Sequence, residues 1–406
     1  MDISINELLQ LSREIEQSLG KEFEEINHFI FEHPELGMQE YISSKYLVDY
    51  LKQKGFEVEY PYAGMETAFR ASYGKGKPTI ALLAEYDALP GYYEDKRNAH
   101  ACGHNWISST TVGTAVVLKE LTKHRDFQVV LIGTPAEETY CSKVAMVEQK
   151  LFDDIDVVIQ SHLSPISSVC PCALAMNAFQ FEFRGRASHS SGAPWDGINA
   201  LDAVQLTFAG INALRQHVKP EARIHGIVTN GGQAANIVPD KASCLFYVRA
   251  QTRAYVNELI EKVHNVAKGA ALMTGASLEI ISPELPMDNL VHVPILQEIA
   301  DKHLRANGIE ASESIEQARE RAGSTDIGNV SHVCPTMYME IALDSPEPML
   351  PHEVSALDLV DSRYAYDRLH QCVRAMAGIA LELVEYPEKL EQTKKQWQEQ
   401  TKTTKK

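Results

Sequence analysis

No stretch of this 406-residue chain approaches the ~18 consecutive apolar residues that a membrane span requires. Basic charge is also short: 38 Lys and Arg stand against 55 Asp and Glu, a net −17. That deficit argues against a nucleic-acid surface and against anionic membranes, and neither is an expected partner. It leaves an anionic substrate open, because one local Arg can outweigh a distant field that salt screens. The seven cysteines are odd in number and scattered, unlike a disulfide framework. The opening Met1-Asp-Ile-Ser-Ile-Asn-Glu7 lacks the basic and apolar stretches of a secretory signal. A reduced, cytoplasmic protein is the expectation, in a compartment that would spare a thiolate ligand from oxidation. No Gly-rich phosphate loop follows the first core strands, which argues against a nucleotide-binding α/β protein.

What is present is an ordinary globular balance, 44% hydrophobic and 23% charged, in a chain long enough for two domains. Helical spacing of Leu8, Leu11, Ile15, Leu19, Phe23, Ile26 and Ile30 predicts a helix over 5–32, ended by Pro34. His33, beside that proline, reads as structural. A second helix is expected over 43–54, and short strands over 56–60 and 67–73. Residues 78–84, 127–133 and 156–160 are apolar runs, the mark of strands buried on both faces of a parallel sheet. Helices are expected over 108–122, 293–307 and 360–383, and a last core strand over 336–341. The final two dozen residues read as a solvated helix or frayed tail.

The chemistry gathers where those strands end. Asn98-Ala-His-Ala-Cys102-Gly-His104-Asn105 pairs a thiol with an imidazole two residues on, and both are good zinc ligands. Asp87 follows the first apolar run, Glu137 and Glu138 the second, and His162 the third. In open α/β sheets, ligands bind at the carboxyl ends of the strands. Adjacent Glu137 and Glu138 repel unless a cation holds them. One would bind a metal and leave the other near an activated water.

From about 175 to 286 the rhythm changes. Strands over 177–185, 223–230, 241–251 and 277–283 alternate with helices over 198–218 and 255–274. The order β-α-β-β-α-β is the split-βαβ, ferredoxin-like arrangement. The expectation is therefore an α/β protein of two domains. Residues 1–174 and 287–406 would build a mixed, mostly parallel sheet flanked by helices, and 175–286 an inserted α+β domain.

These stretches together resemble the M20 family of metallopeptidases, in its amidohydrolase branch. The resemblance is carried by His33-Pro-Glu-Leu-Gly37, Glu85-Tyr-Asp-Ala-Leu-Pro90, Ala101-Cys-Gly-His-Asn105, Pro135-Ala-Glu-Glu138, His162, Ala187-Ser-His189, Asn236-Ile-Val-Pro239 and Gly323-Ser-Thr-Asp326. The Glu-Tyr-Asp and Cys-Gly-His-Asn forms are most similar to the aminobenzoyl-glutamate hydrolase and Xaa-Arg-type dipeptidase subgroup. Two departures stand out. Thr139-Tyr-Cys-Ser142 replaces the glycines usual after Pro-Ala-Glu-Glu, and Asn105-Trp106 replaces an Asp followed shortly by His. Tyr140 and Trp106 are candidate pocket walls, with core packing an equal alternative for Trp106.

The resemblance implies a zinc-peptidase-like fold with a lid and dimerisation domain, and a centre of two divalent ions. Zinc is foremost, and manganese or cobalt accept the same ligands. Cys102, as a bridging ligand, would join His104 and His162 on one ion, with Glu138 and His352 on the other. Asp87 would orient a ligand imidazole. Glu137 would be the general base, taking a proton from a metal-activated water. His189 would donate to the oxyanion across a homodimer. Asn236 would contact substrate, and Arg249, with Arg321 second, would hold a substrate carboxylate. The implied reaction is hydrolysis of the amide bond in a small N-acyl amino acid or dipeptide, with deacylation of a fatty or aromatic acyl group as the nearest variant. A reading of another class is a metal-holding dimer whose catalysis has decayed, and Glu137 separates the two.

Overall fold

Ser4 opens the first helix, Ile5–Glu32, with a capping box in which its hydroxyl accepts from the Glu7 amide and Glu7 reaches back to the Ser4 amide. A computed structural model of the chain describes residues 3–404. Contacts divide it into one unit that runs to Cys172 and resumes at Leu290, and another comprising Ala173–Asn289.

In the first unit every residue of the strand Thr79–Ala84 is buried, and Gln128–Gly133 and Val157–Leu163 are nearly so. Successive side chains point to opposite faces. Ile80, Leu82 and Ala84 join one core with Trp106, Val112, Leu369 and Val373, while Ala81 and Leu83 join another with Met146, Phe152, Ile327 and Val330. Helices thus cover both faces. The six strands lie in the order Glu57–Glu59, Phe69–Tyr73, Gln128–Gly133, Thr79–Ala84, Val157–Leu163, Thr336–Ile341. The last four are parallel and the first two join antiparallel, so the sheet is mixed and mostly parallel.

Three boundaries differ from the periodicity in ways that matter. The strand expected to stop at Gln160 continues to Leu163, because Thr336–Ile341 pairs beside it with Glu340 opposite His162. The helix expected from Ser108 starts at His104, since its polar first turn is buried rather than solvated. The tail forms a helix, Pro387–Thr404, that docks: Trp397 Nε1 donates to the Ser331 carbonyl at 2.7 Å and Lys394 pairs with Asp156 at 2.8 Å.

The second unit has the expected β-α-β-β-α-β order. Its antiparallel sheet runs Ser277–Ile281, Ala175–Arg184, Lys241–Ala250, Arg223–Asn230. Cys244, Phe246 and Val248 face one way and pack with Phe181, Phe183, Val256, Leu259 and Val263. Met287 belongs here because it exchanges backbone hydrogen bonds with Met176, and Arg253 fastens Asp288 at 2.6 Å. Among the described residues no helix is long and apolar enough to cross a membrane.

The helix His104–Leu121 is lashed to its neighbours by polar groups. Asn105 Nδ2 donates to the Val360 carbonyl at 2.9 Å and to Asn27 Oδ1 at 3.2 Å. Trp106, 0% exposed, donates from Nε1 to the Ala365 carbonyl at 2.9 Å. Of the two roles open to it, core packing is the one it takes. Trp106→Phe should lower unfolding free energy by about 1–3 kcal/mol, from the lost indole hydrogen bond to a carbonyl inside the helix Arg363–Glu385 and the void a smaller ring leaves. Denaturant unfolding checks this, and a variant of unchanged stability would show that the bond contributes nothing.

Candidate metal centre

The strand Thr79–Ala84 delivers Glu85 and Asp87 at its carboxyl end, both buried. Asp87 Oδ1 lies 2.8 Å from His104 Nδ1, and Oδ2 accepts from the Glu138 amide at 3.0 Å. Asp87 therefore keeps a proton on His104 Nδ1 and leaves Nε2 as the atom that can bind a metal once its own proton is given up. His162 is turned the same way: its Nδ1 meets the Leu163 carbonyl at 2.6 Å, and its Nε2 faces Cys102 Sγ at 3.6 Å. Between Cys102 and His104 stands Gly103, at φ +78°, the cap of the helix. A Cβ there would approach Leu163 Cδ1 to 2.8 Å, so glycine is what lets both neighbours face inward.

Glu137 and Glu138 sit in a turn begun by Ala136 at φ +58°. The Ala136 amide donates to Glu40 Oε1 at 2.8 Å. Burial, with help from Asp87, pushes the Glu40 carboxyl up to about 7. His352 comes from a distant loop. Its amide donates to the Ala101 carbonyl at 2.9 Å, its own carbonyl accepts from Tyr92 Oη at 2.9 Å, and its φ is +68°. Its Nε2 reaches Glu138 Oε1 at 3.1 Å.

Ligand atoms of Cys102, His104 and His162 all lie within 4.8 Å of one another, and those of Cys102, Glu138 and His352 do likewise. The thiol is common to both groups. His104, Glu137 and Glu138 form a further group at the same spacing. The donors are a thiol, imidazole nitrogens and carboxylates, which suit zinc, manganese or cobalt. The buried His104 Nε2 has no hydrogen-bond partner, and the buried Glu138 Oε1 meets only the His352 imidazole. Buried polar atoms are rarely left without a partner. A cation fits both the donor set and the orphaned nitrogen.

The charges respond to burial and to each other. Burial and then Glu138 push the Cys102 thiol up, well above its ordinary value. Burial would raise Glu138 too, but His352 and His104 outweigh it and hold that carboxyl at about 2. Glu137 is held well above the usual carboxylate range by burial, Glu138, Glu85 and Asp326.

The other candidates lie elsewhere. His189, Asn236 and Arg249 belong to the second unit. His189 Nδ1 accepts from the amides of Gly192 at 3.1 Å and Ser191 at 3.3 Å, so its proton sits on Nε2 as a ready donor. Asn236 is its neighbour, its carbonyl accepting from the Ser190 amide at 3.1 Å. Arg249 is half-buried on the strand Lys241–Ala250, with its guanidinium 5.6 Å from the Tyr247 ring centroid. Arg321 does not serve as a carboxylate anchor for substrate: its fork is committed to Glu313 and also meets Glu340. Tyr140 is exposed. Sequence reasoning assigned no role to Lys143, which is fully buried between Glu85 and Asp326. A lysine at a helix start ordinarily signals a solvated charge, so nothing local pointed to it.

Residues 176–272 match the family described as a peptidase dimerisation domain. The chain is 30% identical to the Xaa-Arg dipeptidase of Homo sapiens over 404 residues, covering 95% of this chain and 91% of that protein. It is 34% identical over 265 residues to a p-aminobenzoyl-glutamate hydrolase polypeptide of Escherichia coli, covering 62% of this chain and 55% of the relative. Among solved structures it is similar to a dinuclear metal-binding peptidase of the M20 family from Bacillus subtilis, with TM-score 0.65, 20% identity, and 90% and 99% of the two chains covered.

If Cys102 is a shared ligand, Cys102→Ala should lower the retained metal after dialysis, read by elemental analysis. Unchanged metal content would reject the assignment.

Proposed function

The chain belongs to the M20 family of metallopeptidases, and on that premise we propose that it hydrolyses the amide bond of a small N-acyl amino acid or dipeptide at a centre of two divalent ions. The observation that carries this reading is the Cys102 thiol common to two ligand groups, with Glu137 beside them. Cys102, His104 and His162 would hold one ion, and Cys102, Glu138 and His352 the other. Two divalent ions held there would supply positive charge that acidifies an attacking water, polarises the amide carbonyl and lowers the proton affinity of Glu137.

The chain's own groups do the rest. Glu137 takes the proton of the attacking water and passes it to the leaving nitrogen. Asp87 keeps His104 in one tautomer and pins the Glu138 amide, so the two elements stay in register. His189, with its proton on Nε2, donates to the oxyanion across a homodimer. Asn236 and Arg249 bind substrate, Arg249 through the carboxylate. The relative covered along nearly its whole length is a dipeptidase, which puts dipeptides first and aminobenzoyl-glutamate-like amides second. Zinc is the foremost ion, and the enzyme is assigned to the cytoplasm.

Hydrolysis of a panel of dipeptides and N-acyl amino acids, by enzyme supplied in turn with Zn, Mn or Co, tests the activity; no turnover with any ion would overturn it. Glu137→Gln should keep its metal and lose ~10²–10⁴-fold in kcat. A variant as active as the parent would remove Glu137 from its role.

A further inference from the structure

Beside the ligand groups lies a second set of carboxylates. Glu85, Glu137 and Asp326 offer oxygen atoms within 4.8 Å of one another, a spacing that suits a single cation. Glu85 is 1% exposed and Asp326 0%. Buried carboxylates this close repel unless a positive charge lies among them.

Lys143 supplies it. The side chain is 0% exposed, and Nζ lies 2.7 Å from Glu85 Oε1 and 2.5 Å from Asp326 Oδ1. The Lys143 amide donates to Asp326 Oδ2 at 3.0 Å, and Gln160 Nε2 donates to Glu85 Oε1 at 2.7 Å. Cys141, at φ +60°, caps the short helix Ser142–Glu148 whose first turn carries Lys143. Glu85 Oε2 is left buried without a hydrogen bond, 3.8 Å from His104 Nε2. The pocket therefore keeps an oxygen able to take a cation. Burial opposes the ammonium charge, but Asp326, Glu85 and Glu137 outweigh it and raise its proton affinity above the ordinary value.

We propose that the Lys143 ammonium is a built-in cation for the Glu85–Glu137–Asp326 group, holding Glu85 and Asp326 in place and keeping a divalent ion out. Metal is thereby confined to the groups around Cys102. Lys143 is a positioning residue, acting through the carboxylates it pairs. The inference rests on the two-ion reading above.

The test is zinc content per full-length chain after loading and dialysis, with folding followed by circular dichroism. Wild type should hold two ions and Lys143→Met three, and the double variant Lys143→Met/Asp326→Asn should return to two. A folded Lys143→Met that still holds two overturns the proposal, as does a third ion in wild type. Wild type that holds none sinks the two-ion reading instead. If Lys143→Met does not fold alone, refolding with Zn, Mn or Mg should restore it, the ion replacing the ammonium. Failure with every ion overturns the proposal.

Discussion

Asp87 joins two elements that would otherwise reach the centre independently. One oxygen fixes the imidazole of His104 at the start of a helix, and the other holds the amide of Glu138 in a strand-end turn. A charge-assisted hydrogen bond between buried groups is strong, and its loss would leave a carboxylate unpaired in a low-dielectric space. The ligand geometry depends on this link. His104 can present only Nε2 because Nδ1 is spoken for, and Glu138 turns toward His352 because its backbone is anchored.

The electrostatics follow from gathering so many acids. Glu85, Asp87, Glu137, Glu138 and Asp326 crowd one region beside a buried thiol. Such a set is stable only with compensation, and the fold supplies some of it through Lys143, Gln160 and the imidazoles. The orphaned Nε2 of His104 marks where the remaining compensation is absent from the protein itself. Unmet polarity and excess negative charge at one spot both favour a cation.

Much of this frame was legible in the residues. The run Thr79–Ala84 is apolar from Ile80 onward, which marks a doubly covered strand and puts Asp87 at a strand end. His162 was harder. Its strand runs on past Gln160 because a neighbour distant in sequence, Thr336–Ile341, extends the pairing. Arg321 looked available to a substrate, and only folding revealed Glu313 and Glu340 around it. The tail looked solvated because Trp397 is a single aromatic among charges, yet its indole finds the Ser331 carbonyl.

By itself the order of residues determined the core strands and long helices in outline, the change of rhythm near residue 175 and the chemical types at the strand ends, because hydrophobic periodicity and turn residues act over a few neighbours. Tertiary structure alone decided which atoms meet: the tautomer of His104, the approach of His352 from a remote loop, and the burial of Lys143 among carboxylates. Those outcomes depend on charges and hydrogen bonds between residues far apart in the chain, and local pattern carries no record of them.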